Sequence, residues 1–598
     1  MNLKLFFTLS LLGAAVAHAQ PVPSHWKNAP TPPMGWNSWD CFGTTLTETQ
    51  ARAQADAMEK YLKPSGWIFF TVDIQWYEAE AKGHVYQEGA PLAMDQYSRL
   101  MPAPQKFPSA ANGAGFKSLA DYVHSKGLKF GIHIMRGIAR QAVRENTPIL
   151  GTSVRAADIA NQKSTCPWNP DMFGVDMSKP GAQDYYDSIL ALYASWGVDL
   201  VKVDDISRAY DKTQKAEIEA IRKAIDKTGR PMVLSLSPGD TPLERGNHVM
   251  QHANMWRISD DFWDRWEPLH GMFGRLEKWT KYRANGAWPD ADMLPFGIVE
   301  FARPTRFTQD EQILCLTLWC IARSPLILGA DMTKLDPFTL GLLTNPEVLA
   351  VNQTSTGNRQ LSNKEDLIVW TAEVPNSPDR YVALFNAQSN DSTFNLDEAT
   401  YRSPVVRGSA GQQVMTISVP IANARKLVLA VGDGGDGSFY DHAAWIEPKV
   451  SGPKGTLQLT DLKWTFAKSG YREVRVNTTV DGQPLRLNGA TVEGIGTHSV
   501  SVIEYDLPEG YALFSALGLA TSGGQGKGSV EFLVLVDPPK KQMPERSSIT
   551  VSFSDLGITG KAKVRDLWKQ VDVGLFTGKF DGELSLHGAG LYRITPQP

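Results

Sequence analysis

Cysteine is scarce in this 598-residue chain, with four in all. That excludes a disulfide-stapled scaffold, so an apolar core must hold the fold. Cys315 and Cys320 lie close together in an apolar helical segment, where they face poorly for a bridge. Cys41 and Cys166 could pair across loops, although buried free thiols are the plainer reading. Charge of one sign is lacking too. With 60 Lys and Arg against 64 Asp and Glu, and no long basic run, there is no electrostatic footprint for nucleic acid or anionic lipid. Long apolar runs are missing beyond the N-terminus. There, Met1-Asn2-Leu3-Lys4, an apolar stretch from Leu5 to Val16 and Ala17-His18-Ala19 follow the order of a secretory signal peptide over residues 1–19. A stretch of about a dozen residues falls short of the ~20 needed to span a bilayer. The expected product is exported to the periplasm or beyond, with no membrane partner. No H-x-H or H-E-x-x-H occurs, no Walker-type or Rossmann glycine pattern follows a predicted strand, and the helically spaced pair His248 and His252 precedes a strand instead of closing one. Neither metal nor cofactor is expected.

A 42 % hydrophobic, 21 % charged composition is ordinary for globular proteins, and the length predicts two to four domains. From Thr31 to Leu328, short β-rich runs alternate with longer helical patterns, the rhythm of βα units. Eight runs can be placed: Met34 to Trp39, Ile68 to Asp73, Lys129 to Ile134, Val198 to Asp204, Met232 to Leu236, Met255 to Ser259, Leu294 to Val299 and Pro325 to Gly329. Eight units over roughly 300 residues predict a (β/α)8 TIM barrel. Thr47 and Gln50 form a capping box ahead of Ala51, Ala55, Met58 and Leu62 at helical spacing. After Asn352-Gln353, alternating strands separated by Pro, Asn and Ser clusters begin an all-β region. Within it Gly432 to Gly437 and Gly523 to Gly528 read as turns. Asp433 and Asp436 could ligate calcium, but too few oxygen ligands follow at a recognisable spacing.

In a TIM barrel the site lies at the carboxyl ends of the strands, so polar residues closing an apolar run mark it. Asp73, His133, the Lys202-Val203-Asp204-Asp205 step and Arg257-Ile258-Ser259-Asp260-Asp261 are such closures. Two carboxylates from different strands are what glycoside hydrolysis needs, one to attack or activate water and one to protonate the leaving oxygen. An aspartate beside Lys202 and Arg257 would stay ionised, whereas one among Trp256, Phe262 and Trp263 would tend to keep its proton. That division predicts Asp204 as nucleophile and Asp261 as acid/base, with Asp205 and Asp260 as loop-capping or surface acids. Trp36, Trp39, Trp76, Trp256, Trp263 and Trp266 fall at predicted strand ends, where aromatics either stack on sugar faces or pack the core.

The strings Pro33 to Trp39, Lys202-Val203-Asp204, Trp256-Arg257 followed by Asp261, Asp290-Ala291-Asp292-Met293-Leu294 and Ser324 to Gly329 resemble glycoside hydrolase family 27, from about residue 28 to 355. That family holds α-galactosidases and α-N-acetylgalactosaminidases. The resemblance implies that Asp204 is the nucleophile and Asp261 the acid/base of a retaining double displacement, with Asp73, Lys202, Arg257 and Trp39 on the sugar. Trp76, His133 and Ser237 complete the candidate sugar site. There are departures. The family's adjacent aspartates read Asp73-Ile74 here, so one carboxylate for the sugar's 4- and 6-hydroxyls is missing. His133 stands for a usual tyrosine, Ser237 for larger side chains near the 2-hydroxyl, and Ile206 for a common cysteine.

Val564 to Trp568 and His587 to Tyr592 resemble the closing strands of the family's β-sandwich, whose opening strands lie near 356–398. Between them Tyr440 to Trp445, Gly494 to Ser499 and Tyr505 to Pro508 resemble the NPCBM type of carbohydrate-binding jelly roll. The expected layout is a barrel over 28–355, a discontinuous sandwich over 356–398 and 546–598, and a jelly roll inserted at 400–541. Insertion into a host loop is tolerated where the insert's ends lie close together. The expected activity is release of terminal α-linked galactose, on a carbohydrate substrate. A β-L-arabinopyranosidase, an α-N-acetylgalactosaminidase, an isomaltose-releasing dextranase or a non-catalytic glycan-binding protein are the alternatives.

Overall fold

The computed structural model describes residues 22–388, 394–408, 413–435, 437–438, 440–521, 528–539 and 544–597. The signal peptide reading at 1–19, Asp436 and most of the 523–528 turn lie outside the described residues.

Eight parallel strands form one sheet: β1 (Met34–Asn37), β2 (Phe69–Val72), β3 (Lys129–Met135), β4 (Leu200–Asp204), β5 (Val233–Leu236), β6 (Met255–Arg257), β7 (Trp288–Asp290) and β8 (Leu326–Leu328). They run in sequence order, with β8 back beside β1. Leu294 donates to the Ile327 carbonyl at 2.7 Å and accepts from the Gly329 N–H at 3.0 Å, which closes the ring. The result is a TIM barrel. Gly35 is required on β1, because a Cβ there would lie 2.3 Å from the Phe69 carbonyl oxygen of β2.

One strand is displaced from its predicted place. The seventh is Trp288–Asp290, and the predicted Leu294 to Val299 run supplies only the closing bridge and a short antiparallel pair, Ile298–Val299 with Arg303–Pro304. Proline is disfavoured inside a central strand, because it cannot donate to the ladder. Pro289 is accommodated because Trp288 donates to Asn254 and Asp290 accepts from Ile258, so the proline nitrogen faces away from β6.

Helices cover the sheet: α1 (Glu48–Tyr61), α2 (Lys117–Ser125), α3 (Ala182–Trp196), α4 (Lys212–Thr228), α5 (Gly246–His252), α6 (Trp266–Trp279) and α7 (Gln309–Ala322). The α1 capping box forms as its sequence requires, with Thr47 N–H donating to Gln50 Oε1 at 2.9 Å, and Ala51, Ala55, Met58 and Leu62 are all buried. Asp211 caps α4, accepting from Thr213 and Gln214 N–H. All four cysteines are buried and free, so Cys41 and Cys166 do not bridge. Among the described residues no helix is long and apolar enough to cross a membrane.

Thr356–Lys364, Leu367–Glu373 and Arg380–Asn386 share an antiparallel sheet with Ala589–Gln597, Lys561–Asp566 and Val571–Thr577, so the chain leaves this sandwich and returns to it. A second layer bearing Ile549, Val551, Phe580 and Leu584 packs on Val369, Val382 and Leu384. Arg565 anchors the sandwich to the barrel through Glu347 at 2.7 Å, and Trp568 donates to Thr317 Oγ1 at 2.9 Å.

Residues 387–547, with 585–587, form a separate compact unit. It is a jelly roll of two antiparallel sheets. In one, Lys426–Gly432 lies between Ser501–Asp506 and Ser529–Val536; in the other, His442–Gly452 lies between Gly494–His498 and Leu513–Ala520. Trp445 meets Phe532 edge-on at 4.9 Å in their shared core.

Candidate active site

Strand periodicity assembles the site. Side chains alternate faces along a strand, so residues two apart share the barrel interior. Along β4, Leu200 and Lys202 line the interior while Val201 and Val203 are buried on the helix side. The same step brings inward Ser235 on β5 and Ser237 just beyond it, and Met255 and Arg257 on β6. Lys202, Ser237, Arg257, Asp290 and Asp292 border one cavity.

Asp73 is the electrostatic anchor. Its Oδ2 accepts from Lys202 Nζ at 2.8 Å and Asn37 Nδ2 at 2.7 Å, and its Oδ1 from the Ile74 N–H at 2.9 Å. Burial alone would raise its pKa, but Lys202, His133 and these hydrogen bonds outweigh it and hold the carboxyl at about 2. Burial acts against the Lys202 charge as well, and Asp73 and Asp292 keep that amine protonated.

Asp204 sits beside this pair, its side chain 13 % exposed. His133 Nε2 lies 3.1 Å from Asp204 Oδ2, and Asp205 N–H donates to Oδ1 at 2.8 Å. Against the cost of burial, the His133 contact, the Lys202 charge and the Asp205 N–H depress its pKa below the usual carboxylate range.

Asp261 differs from its predicted setting. Its side chain is 57 % exposed and accepts from Arg257 at 3.2 Å, so no aromatic enclosure surrounds it. Trp256 is fully buried and packs on Trp279 instead. Arg257 serves Asp261 and Asp292, at 2.9 Å from the latter, instead of Asp204. Asp290 and Asp292 went unassigned in the sequence reading although they close β7. Burial and the neighbouring Asp292 push Asp290 up to about 7, and Asp292 is raised by burial although Arg257 opposes it.

Two further assignments change. Trp76, a predicted sugar platform, is 1 % exposed: it donates to the His133 carbonyl at 2.7 Å and packs among Tyr77, Phe116 and Trp196. Following β2 by four residues, it lies off the strand's inward row and supports His133 from behind. Asp205, read as a loop-capping acid, is buried on Arg136 at 2.8 Å and pushed up to about 7 by burial. Asp260 pairs with Arg208, both partly exposed. Trp39 is half-buried, anchored by its N–H to Asn37 Oδ1 at 2.9 Å, with its ring 4.9 Å from His84 and nearly parallel to Tyr86 at 6.3 Å. Tyr86 was missed by sequence reasoning because it lies in a loop without strand pattern. Burial and the carboxylates of Asp204, Asp73 and Asp261 raise its pKa, which places its hydroxyl in their field.

Asp73 gives a pH prediction. A carboxyl held below its unfolded pKa stabilises the fold above that value and loses the contribution as pH falls through the folded one. The gap in unfolding temperature between wild type and Asp73→Asn should therefore be full above about pH 5 and close towards pH 2, where the native side chain is itself protonated. A gap independent of pH would contradict this charge assignment.

A closed barrel with converging carboxylates, basic partners and an aromatic rim defines a glycoside hydrolase, and comparisons with known proteins agree. The model for alpha galactosidase A matches residues 31–176 and 170–354, the NPCBM/NEW2 domain matches 392–451 and 455–555, and the alpha galactosidase C-terminal beta sandwich domain matches 523–594. The chain belongs to the alpha-galactosidase A family, glycoside hydrolase family 27. It is 30 % identical over 410 residues to alpha-galactosidase A of Cellvibrio japonicus, covering 66 % of this chain and 85 % of that one. With the alpha-galactosidase of Coffea arabica it shares 31 % over 367 residues, 61 % and 81 % of the two chains. Among solved structures it is similar to a β-L-arabinopyranosidase from Geobacillus stearothermophilus, at 39 % identity and a TM-score of 0.69, covering 96 % of this chain and 99 % of that one.

Proposed function

We propose that this protein is an exported, retaining exo-glycosidase that removes terminal β-L-arabinopyranosyl groups in preference to α-galactosyl groups. Asp204 attacks the anomeric carbon, and Asp261 protonates the leaving oxygen and then activates water on the covalent glycosyl-enzyme. The environments support this division. Asp204 is mostly enclosed, its side chain 13 % exposed, and is held as an anion by His133 and Lys202, whereas Asp261 is open to solvent, where the leaving group departs and water enters. The acid/base has to exchange protons in both steps, which an exposed carboxyl can do.

The sugar preference rests on Asp73 standing alone. Its carboxylate is committed to Lys202 and Asn37, and the next residue is the buried, apolar Ile74. L-Arabinopyranose in the β configuration has the ring stereochemistry of α-galactose without the 6-hydroxymethyl group. A site short of a carboxylate for the 6-hydroxyl loses little with that sugar and more with galactose. The similarity to an arabinopyranosidase over nearly the whole chain supports the same reading.

The first test is turnover of a nitrophenyl glycoside panel. Nitrophenyl β-L-arabinopyranoside should have the larger kcat/KM, with nitrophenyl α-galactoside second. Turnover confined to an α-N-acetylgalactosaminide or to isomalto-oligosaccharides would overturn the sugar assignment. Ile74→Asp should raise the galactoside-to-arabinopyranoside ratio of kcat/KM by at least about 100-fold. An unchanged ratio would remove Ile74 from the account.

A further inference from the structure

Glu219 on α4 and His248 and His252 on α5 each offer one ligand atom, and the three atoms lie within 4.8 Å of one another. None of them belongs to the carboxylate site. The sequence shows only part of the group: the two histidines share a helix face at i and i+4, but the acid arrives from another helix. Their imidazoles lie 4.3 Å apart with 32° between the planes.

Three of the four ring nitrogens have hydrogen-bond partners. His252 Nδ1 is 2.8 Å from the His248 carbonyl oxygen, which only accepts, so Nδ1 carries the hydrogen and Nε2 keeps its lone pair. His248 Nδ1 is 2.7 Å from the Tyr210 hydroxyl, and its Nε2 is 3.0 Å from Glu219 Oε1. A cation would take the place of the proton shared in that last contact. Backbone and hydroxyl partners of this kind orient ligating imidazoles.

We propose that Glu219, His248 and His252 bind a divalent transition cation of the zinc class, with water completing a tetrahedral shell. Two nitrogens and one carboxylate oxygen suit zinc, nickel or copper, whereas magnesium and calcium require more oxygen ligands. Zinc–nitrogen bonds of about 2.0–2.1 Å put ligand atoms roughly 3.3 Å apart. Glu219 Oε1 already lies 3.0 Å from His248 Nε2, and its half-exposed side chain can turn towards His252. It also borders an open cleft of about 790 Å³. A bound ion ties α5 to α4 and, through Tyr210, steadies the segment between Asp204 and α4.

The test uses the full mature chain without an affinity tag, stripped with a chelator and titrated with zinc sulfate by calorimetry, with unfolding temperature followed in parallel. One equivalent should bind and raise the unfolding temperature, and magnesium chloride should do neither. His252→Ala should weaken zinc binding by about 100-fold, and Tyr210→Phe by about 10-fold. Because His252 is half-buried, Glu219→Gln at an exposed side chain is the second variant: it should keep wild-type glycosidase activity and bind zinc at least about 10-fold more weakly. No stoichiometric zinc binding to the wild type, an equal response to magnesium, or equal zinc affinity in wild type and Glu219→Gln would each overturn the site.

Discussion

Asp204→Ala should lower kcat on every substrate the enzyme accepts by about 10⁴-fold or more, with the fold retained. The size of the loss separates two roles. A nucleophile cannot be replaced by water at the same position without forfeiting the covalent intermediate, whereas a carboxylate that only stabilises charge typically costs far less. Lys202 keeps its ion pair with Asp73 at 2.8 Å when Asp204 is removed, so the alanine variant strands no buried charge. Comparison with Asp261→Ala sharpens the result. Nitrophenolate departs without a proton, so that variant should lose much less glycosylation rate on nitrophenyl substrates than on alkyl glycosides. Equal losses on both would place Asp261 outside the acid/base role.

Arg136→Met is expected to destabilise the barrel by about 3–5 kcal/mol, with activity falling alongside. Arg136 is buried on two carboxylates, Asp205 at 2.8 Å and Glu217 at 3.0 Å, and donates through Nε to the Asp205 carbonyl. Its own N–H holds the Asp204 carbonyl at 3.0 Å. Glu217, fully buried, also accepts from the Tyr186 hydroxyl at 2.8 Å and the Val175 N–H at 2.9 Å. Removing the guanidinium strands two acids in a dry interior, which costs more than the ion pair contributed. The double variant Arg136→Met/Glu217→Gln, with one fewer stranded charge, should recover part of the loss in urea unfolding. A single variant as stable as wild type would show that this network carries no positional load on Asp204.

How much of this was readable depended on whether a residue's role follows from local pattern. The β4 run ending in Lys202 and Asp204 was legible because period-2 alternation sends both to the interior. The α1 capping box was legible because its partners are three residues apart. Trp288–Asp290 was not, since Pro289 reads as a strand breaker until the neighbour on its nitrogen side is known. Environment was harder still. The exposure of Asp261 and the burial of Trp76 depend on loops whose paths no local pattern sets, and adjacency in sequence to Trp256 and Phe262 proved a poor guide to what surrounds Asp261. Tyr86 and Glu219 reach their partners across long separations, and neither carries a spacing signal of its own.

Trapping the intermediate tests the central claim most directly. Wild-type protein is incubated with a 2-deoxy-2-fluoro-β-L-arabinopyranosyl fluoride, its intact mass is measured, and the modified peptide is sequenced. The account predicts inactivation with a mass increase of one fluoroglycosyl group, carried on Asp204 and absent from Asp204→Ala. A label on another residue, or a hydrolysis product that first appears with inverted anomeric configuration, would contradict it.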